Sequence, residues 1–216
     1  MRKKKSLFIT FEGIEGSGKS YQSKKLYKKI LKMKLPVIYT REPGGTLAAE
    51  RIRKVILEDY FFSNSNEKFN KYTDTLLYLA ARNEHLLNKI KPAINKKKII
   101  ICDRFIDSTS AYQVYGKNVN KNFVDGIHKH ILGKIKPDLT FILNANISKA
   151  MHRLKKRKKK NRYDKFSRNF YIKVQKAFIK IAKTNKKKYI VVNNTNDTSL
   201  AEKIIFDKFI KILNHG

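Results

Sequence analysis

The stretch that most restricts how this chain can fold is residues 6–20, "SLFITFEGIEGSGKS". A short β-branched and aromatic run closes on glycine, and Gly13, Gly18, Lys19 and Ser20 then fall in the spacing G-x-x-x-x-G-K-[ST]. That order requires a buried strand, a glycine loop and a helix starting at Lys19. Only then do loop N–H groups and a helix N-terminus converge on a chain of phosphates. The loop residues Gly13, Ile14, Glu15, Gly16, Ser17, Gly18, Lys19 and Ser20 are therefore the candidate set that binds a nucleoside triphosphate. In it, Lys19 bridges the β and γ phosphates and Ser20 is a ligand of Mg2+. The motif specifies a nucleoside triphosphate and leaves open what happens to it.

The rest of the chain repeats the strand–helix alternation. "PVIYT", "KKKIIICDR", "DLTFIL" and "KYIVVN" read as four further strands, and "KKKIIICDR" is apolar throughout its middle, as expected of a strand buried on both faces. Between them, helical spacing of apolar residues runs through "KSYQSKKLYKKILKMK", "LAAERIRKVILED" and "DTLLYLAARNEHLLNKI". The same spacing recurs through most of residues 105–132, "SKAMHRLKKRKKK", "NFYIKVQKAFIKIAK" and "SLAEKIIFDKFIKIL". "FFSNSNEKFNKY" reads as a loop. Five strands alternating with helices build an α/β fold with a parallel sheet. No repeat or Gly/Ser-rich linker divides the 216 residues, so residues 1–216 are expected to form a single domain.

Composition excludes several classes. The lone cysteine, Cys102, has no partner for a disulfide and no zinc spacing around it, which fits a reducing cytoplasm. The apolar part of "MRKKKSLFITFEG" is too short for an export signal, and no apolar run approaches the about 20 residues of a membrane span, so no membrane association is expected. Fifty Lys and Arg against seventeen Asp and Glu give +33, which raises nucleic acid as a partner. Lysine is interspersed with Asn and Ile along the whole chain rather than gathered on one face. That mixture reads as AT-rich coding drift that leaves most of the lysines as solvated surface, with a smaller share steering anionic substrates and no specific nucleic-acid site.

Two further stretches leave the ends of strands. "TREPGG" places Arg41 after the second strand, and "CDRF" places Asp103 and Arg104 after the third. Ligands of open parallel sheets bind beyond the carboxyl ends of the strands, so two arginines there form a pocket for a second phosphate. A phosphate monoester is already anionic near neutral pH, and a transfer onto it needs positioning and charge neutralisation rather than a general base. Asp103 then reads as a residue of the magnesium shell. The five histidines show no catalytic or metal spacing.

Taken in order, "GIEGSGKS", "TREPGGT", "LLYLAAR" and "DRFIDSTSAYQ" resemble the bacterial thymidylate kinase (dTMP kinase) family over essentially the whole chain. The resemblance implies a three-layer P-loop NTPase fold with strand order 2-3-1-4-5, a homodimer, and Mg2+-dependent transfer of the ATP γ-phosphate to dTMP. It implies that Arg41 and Arg104 hold the dTMP phosphate and that Glu15 accepts a hydrogen bond from the sugar 3′-hydroxyl. Tyr78 would stack on thymine and Arg82 would hydrogen-bond the base. Tyr112 would crowd the 2′ position, with Ser108 part of the acceptor pocket and Thr109 and Gln113 near the base edge.

This chain departs from the family at the loop and at the basic run. Gly16 stands where some members carry an arginine, so a transition-state cation must come from a short mobile lid at about residues 153–169. Arg153, Arg157 and Arg162 are its candidates, Arg153 and Arg157 as catalytic residues. Asn161 replaces an expected acidic residue before the lid arginine. Two alternatives remain at this stage: another P-loop nucleotide kinase, and a basic nucleic-acid-binding ATPase. The latter lacks the aromatic interleaving that base stacking needs, since "LKKRKKKNRYDKF" holds only Tyr163 and Phe166.

Overall fold

The computed structural model describes residues 6–57, 68–156, 161–196 and 198–215. Its centre is a five-stranded parallel sheet in the order β2-β3-β1-β4-β5. The strands are β1 (Leu7–Glu12), β2 (Val37–Arg41), β3 (Ile99–Asp103), β4 (Leu139–Asn144) and β5 (Tyr189–Asn193). The helices are α1 (Lys19–Lys32), α2 (Leu47–Leu57), α3 (Lys71–His85), α4 (Lys91–Asn95), α5 (Ile106–Thr109), α6 (Lys121–Leu132), α7 (Ile147–Lys155), α8 (Arg168–Lys183) and α9 (Thr198–His215). The predicted α/β fold, strand order and all five strands are present.

Burial follows position in the sheet. All five residues of β3 are buried, whereas each of the edge strands β2 and β5 has one buried residue and the rest half-buried or exposed. On one face Ile9, Phe11, Ile101 and Phe141 pack against Leu26 and Ile30 of α1 and Phe209 of α9. The other face divides into two clusters. Phe8, Ile100 and Cys102 meet Leu86, Ile90 and Phe105, while Ile142 meets Tyr112, Val174 and Phe178. Cys102 is thus a core residue with a buried thiol.

Two helices differ from the sequence pattern. The helix predicted to end near Ile90 continues to Asn95, through a π-helical turn at Leu86–Ile90 into α4. Pro92 explains the wide turn: it has no N–H for an i−4 bond, so the helix re-registers just before it. A second π-helical stretch, Ser110–Gly116, joins the end of α5. It holds Tyr112 and Gln113 in the interior, both buried. Residues 58–67 of the predicted second helix and following loop, and residues 157–160 of the basic run, lie outside the described residues.

Register gathers the chemistry at one edge. Arg41 lies opposite Asp103, Phe11 also pairs with Asp103, and Asn144 lies opposite Asn193. All are at the carboxyl ends of their strands, where a parallel sheet opens to ligands.

Candidate active site

The phosphate loop is shaped by glycines with positive φ. Gly13 is at 138°, Gly16 at 73° and Gly18 at 89°. A Cβ on Gly16 would lie 2.3 Å from the Ala150 carbonyl oxygen of α7, so this backbone passes closer to α7 than any side chain permits. Lys19, first residue of α1, folds back and donates from Nζ to the Ile14 carbonyl at 3.1 Å. Burial and the neighbouring Arg104 charge lower its pKa to about 8.

Ser20 Oγ donates to Asp103 Oδ2, and Asp103 Oδ1 is buried with no hydrogen-bond partner among the described residues. A hydroxyl and a carboxylate with a spare buried oxygen fit Mg2+, which accepts oxygen ligands and completes its shell with water and phosphate oxygens.

Arg153 does not reach into the cleft. Its guanidinium donates to the carbonyls of Gly16 at 3.1 Å, Asn194 at 3.4 Å and Thr195 at 2.9 Å, strapping α7 to the loop and to the end of β5. Asn194 donates from Nδ2 to the Ser17 carbonyl at 2.7 Å and accepts from Gln22 Nε2 at 3.1 Å. Neither Asn194 nor Gln22 belongs to a motif; Gln22 follows the loop in α1, and only the fold brings Asn194 to it. Arg157 lies outside the described residues.

Beside the loop opens a cleft of about 490 Å³. Lys19, Ser20, Asp103, Glu15 and Arg104 line the side next to the loop. Arg41, Tyr78, Arg82, Ser108, Thr109, Tyr112 and Gln113 line the remainder. Every acceptor-site residue expected from the sequence therefore faces one cavity. Gly13, Ile14, Gly16, Ser17 and Gly18 form the backbone behind it.

Arg104 is the hub. It has φ 73°, and its guanidinium donates to Glu15 Oε1 at 2.7 Å, to Ser108 Oγ at 2.9 Å and to the Gly13 carbonyl at 3.0 Å. Its carbon lies 5.1 Å above the Tyr112 ring. Burial disfavours the Glu15 charge, but Arg104 and then Lys19 outweigh it and hold its carboxyl below the usual range. The Tyr112 hydroxyl donates to the other Glu15 oxygen. Burial, with Glu15 beside it, raises the Tyr112 pKa well above that of an ordinary phenol.

Arg82 is 2% exposed and spends most of its donors on protein. Nε donates to Glu42 at 2.7 Å, Nη1 to Thr109 at 2.9 Å and to His128 Nε2 at 2.7 Å, and Nη2 to the Phe105 carbonyl at 3.0 Å. That is four of the five N–H groups of a guanidinium. Glu42 is held ionised despite burial by Arg82 and His85. Burial and the Arg82 charge push His128 down to about 3. Glu42 was legible only as part of "TREPGG". His85 and His128 carried no signal, since they act as hydrogen-bonding buttresses rather than ligands. Arg53, on α2, also lines the cleft and donates to the Pro43 carbonyl at 2.6 Å; a single arginine in a basic chain could not have been singled out. Gln113 Nε2 is buried without a partner among the described residues.

Arg41 is exposed and paired with Glu50 at 3.1 Å. Arg162 donates to Asp74, which is 1% exposed and also takes Lys117 Nζ at 2.6 Å. Tyr163 beside it is buried edge-on against Tyr112 and, with Asn161, reaches the cleft wall.

A family model described as thymidylate kinase matches residues 11–205. The chain belongs to the thymidylate kinase family. A thymidylate kinase of Mycoplasma capricolum is 39% identical over 209 residues, covering 96% of this chain and 94% of that protein. One from Acholeplasma laidlawii is 39% identical over 209 residues, covering 96% of this chain and 100% of its own. The crystal structure of thymidylate kinase from Ehrlichia chaffeensis superposes with a TM-score of 0.74 at 33% identity, over 97% of this chain and 99% of that one. The family and the fold agree, and in the cleft Lys19 and Glu15 of the glycine loop share one cavity with Arg41, Arg82 and Arg104.

Proposed function

We propose that the cleft is the active site of a dTMP kinase, which transfers the γ-phosphate of ATP to dTMP and releases dTDP and ADP. One observation carries this reading: Arg104 is bonded both to the phosphate loop, at Gly13 and Glu15, and to the acceptor wall, at Ser108. A cation in that position neutralises charge between donor and acceptor phosphates, where a phosphoryl group must pass. The acceptor phosphate needs no base, and none is assigned.

In this account Gly13, Ile14, Glu15, Gly16, Ser17, Gly18, Lys19 and Ser20 hold the triphosphate. Ser20 and Asp103 hold Mg2+, which neutralises phosphate charge when bound. Arg104 and Arg41 take the acceptor phosphate, with Arg41 exchanging its Glu50 partner for it. Glu15 receives the 3′-hydroxyl. Tyr78 stacks on the base, the remaining Arg82 N–H and the unpartnered Gln113 amide meet its edge with Thr109 alongside, and Tyr112 fills the space beside the 2′ carbon. Arg153 steadies the loop. Arg162, Asn161 and Tyr163 would form the inner margin of the lid expected at about residues 153–169, of which residues 157–160 lie outside the described residues, within a single domain.

Exposed apolar side chains at Leu47, Tyr72, Leu76 and Leu87, on α2, α3 and the turn after α3, favour a homodimer through that side. No helix of the described residues is long and apolar enough to cross a membrane, and a cytoplasmic site gives the enzyme its nucleotides. A nucleic-acid-binding ATPase is not favoured, since the basic run "LKKRKKKNRYDKF" holds only Tyr163 and Phe166 for base stacking. Product analysis by phosphorus NMR tests the reading: ATP, dTMP and Mg2+ should give dTDP and ADP in equal amounts, whereas ADP without dTDP contradicts it.

A further inference from the structure

Glu12, the last residue of β1, does not line the cleft and is 0% exposed. Its Oε1 accepts the backbone N–H of Phe105 at 2.7 Å and of Ser108 at 3.3 Å. Its Oε2 accepts the Ser108 hydroxyl at 2.5 Å. Ser108 Oγ in turn accepts Arg104 Nη1 at 2.9 Å. We propose that Glu12 is a positioning residue for capture of the acceptor phosphate, acting through Ser108 on Arg104. The inference rests on the reading of Arg104 as the residue that receives that phosphate.

The chemistry is directional. A serine hydroxyl has one hydrogen and two lone pairs. Burial and the Asp107 charge raise the Glu12 pKa to about 8, while the Ser108 hydroxyl and the Arg104 charge oppose that shift. With the ionised carboxylate taking the hydroxyl hydrogen, the lone pairs of Ser108 face Arg104, and the hydroxyl serves the guanidinium only as an acceptor. The Gly13 carbonyl and Glu15 supply the other acceptors. Three fixed acceptors on two nitrogens set the plane of the guanidinium and leave its remaining N–H groups for the phosphate.

Glu12 also anchors the backbone that carries the arginine. Arg104 has a left-handed φ of 73° and donates its N–H to the Phe11 carbonyl at 2.9 Å, so the chain reverses directly above β1. The next N–H groups, of Phe105 and Ser108, point into the core and find Glu12 there. A buried donor without a partner is costly; Glu12 satisfies the Phe105 N–H, shares the Ser108 N–H with the Phe105 carbonyl at 3.2 Å, and orients the Ser108 hydroxyl.

Replacing Glu12 by Gln tests the relay. The amide nitrogen takes the place of one oxygen, donates to Ser108 Oγ and turns the hydroxyl hydrogen towards Arg104. Steady-state kinetics of Glu12→Gln, Ser108→Ala and the double variant should show KM for dTMP raised about tenfold in each single variant, the effect of losing one charge-assisted hydrogen bond. KM for ATP should stay within about twofold, and the double variant should be no worse than Ser108→Ala, because both changes cut one chain of bonds. Glu12→Asp, which withdraws the carboxylate by one methylene, is run in parallel and should give the same split if Glu12→Gln yields no folded protein. An unchanged KM for dTMP in folded Glu12 variants, or effects that multiply in the double variant, would overturn the relay. Arg104→Ala is the control: a normal KM for dTMP there overturns both the relay and the reading of Arg104, whereas a raised KM there with normal Glu12 variants removes the relay alone.

Discussion

Arg104 Nη2 lies 2.7 Å from Glu15 Oε1, which ties the turn after β3 to the phosphate loop through a single ion pair. Donor and acceptor sides of the cleft are thereby one electrostatic unit, and removing the cation should be felt on the acceptor side first. Arg104→Ala should raise KM for dTMP by about tenfold to a hundredfold, the scale of a lost hydrogen bond to a charged group. ATP binding, assigned in this account to the loop backbone and Lys19, should change far less. Titration of the variant with each nucleotide separately checks the asymmetry.

Lys19→Ala should abolish transfer while the protein still folds. The Nζ group is buried against the loop and makes one hydrogen bond there, to the Ile14 carbonyl, so its loss leaves the core intact. Single-turnover phosphoryl transfer, with thermal melting alongside, separates the two effects.

Gly16→Ala should be far more damaging than one added methyl suggests. The backbone is at φ 73°, and the new Cβ would meet the Ala150 carbonyl at 2.3 Å, a backbone atom of α7 that cannot swing aside. The loop must move, taking with it the Gly16 carbonyl that Arg153 holds. Loss of ATP binding with dTMP binding largely retained is the expected outcome, checked by calorimetric titration.

Asp74→Asn should loosen the margin of the cleft. The buried carboxylate serves both Lys117 and Arg162, and removing it leaves two cations partly buried without a counter-charge. Breaking a buried ion pair costs about 3 to 5 kcal/mol. Hydrogen exchange should quicken around residues 161–166, and turnover should fall more than nucleotide affinity.

Acid should release the acceptor wall. His128 Nε2 accepts from Arg82 at 2.7 Å, which requires a neutral ring, and burial and that cation push its pKa down to about 3 from an ordinary 6.5. The unfolded chain therefore binds a proton in this interval that the folded chain refuses. By linkage, this group makes stability fall as pH drops from 6.5 towards 3 and contributes no slope above 6.5. His128→Gln, which keeps an acceptor without a titration, should flatten that part of the stability curve in denaturant melts at stepped pH.

The fold was legible because its signals are local. A short, β-branched apolar run such as "IIICD" fits a strand buried on both faces better than a helix, and the glycine loop dictates where β1 ends and α1 begins. Arg41 and Arg104 were read from motifs at strand ends, whereas Tyr78, Arg82, Ser108, Thr109, Tyr112 and Gln113, on helices, were named only through the family resemblance. What escaped was tertiary: Arg82 as a buried hub with Glu42, His85 and His128 behind it, and Asn194 bonded to the loop across 177 residues of sequence. Their types are common and their spacing carries no period, so only the folded sheet brings them together. Arg153 shows the opposite limit. Its place after β4 was readable, but its three carbonyl partners, which make it a strap on the loop, were not.

The most direct test of the central claim is coupled ADP release with ATP and Mg2+, offering dTMP, dUMP, dCMP, dGMP, AMP, thymidine and random duplex DNA separately. The account predicts a strong response to dTMP and none to DNA. A response to DNA alone, or to another monophosphate in preference to dTMP, would contradict it.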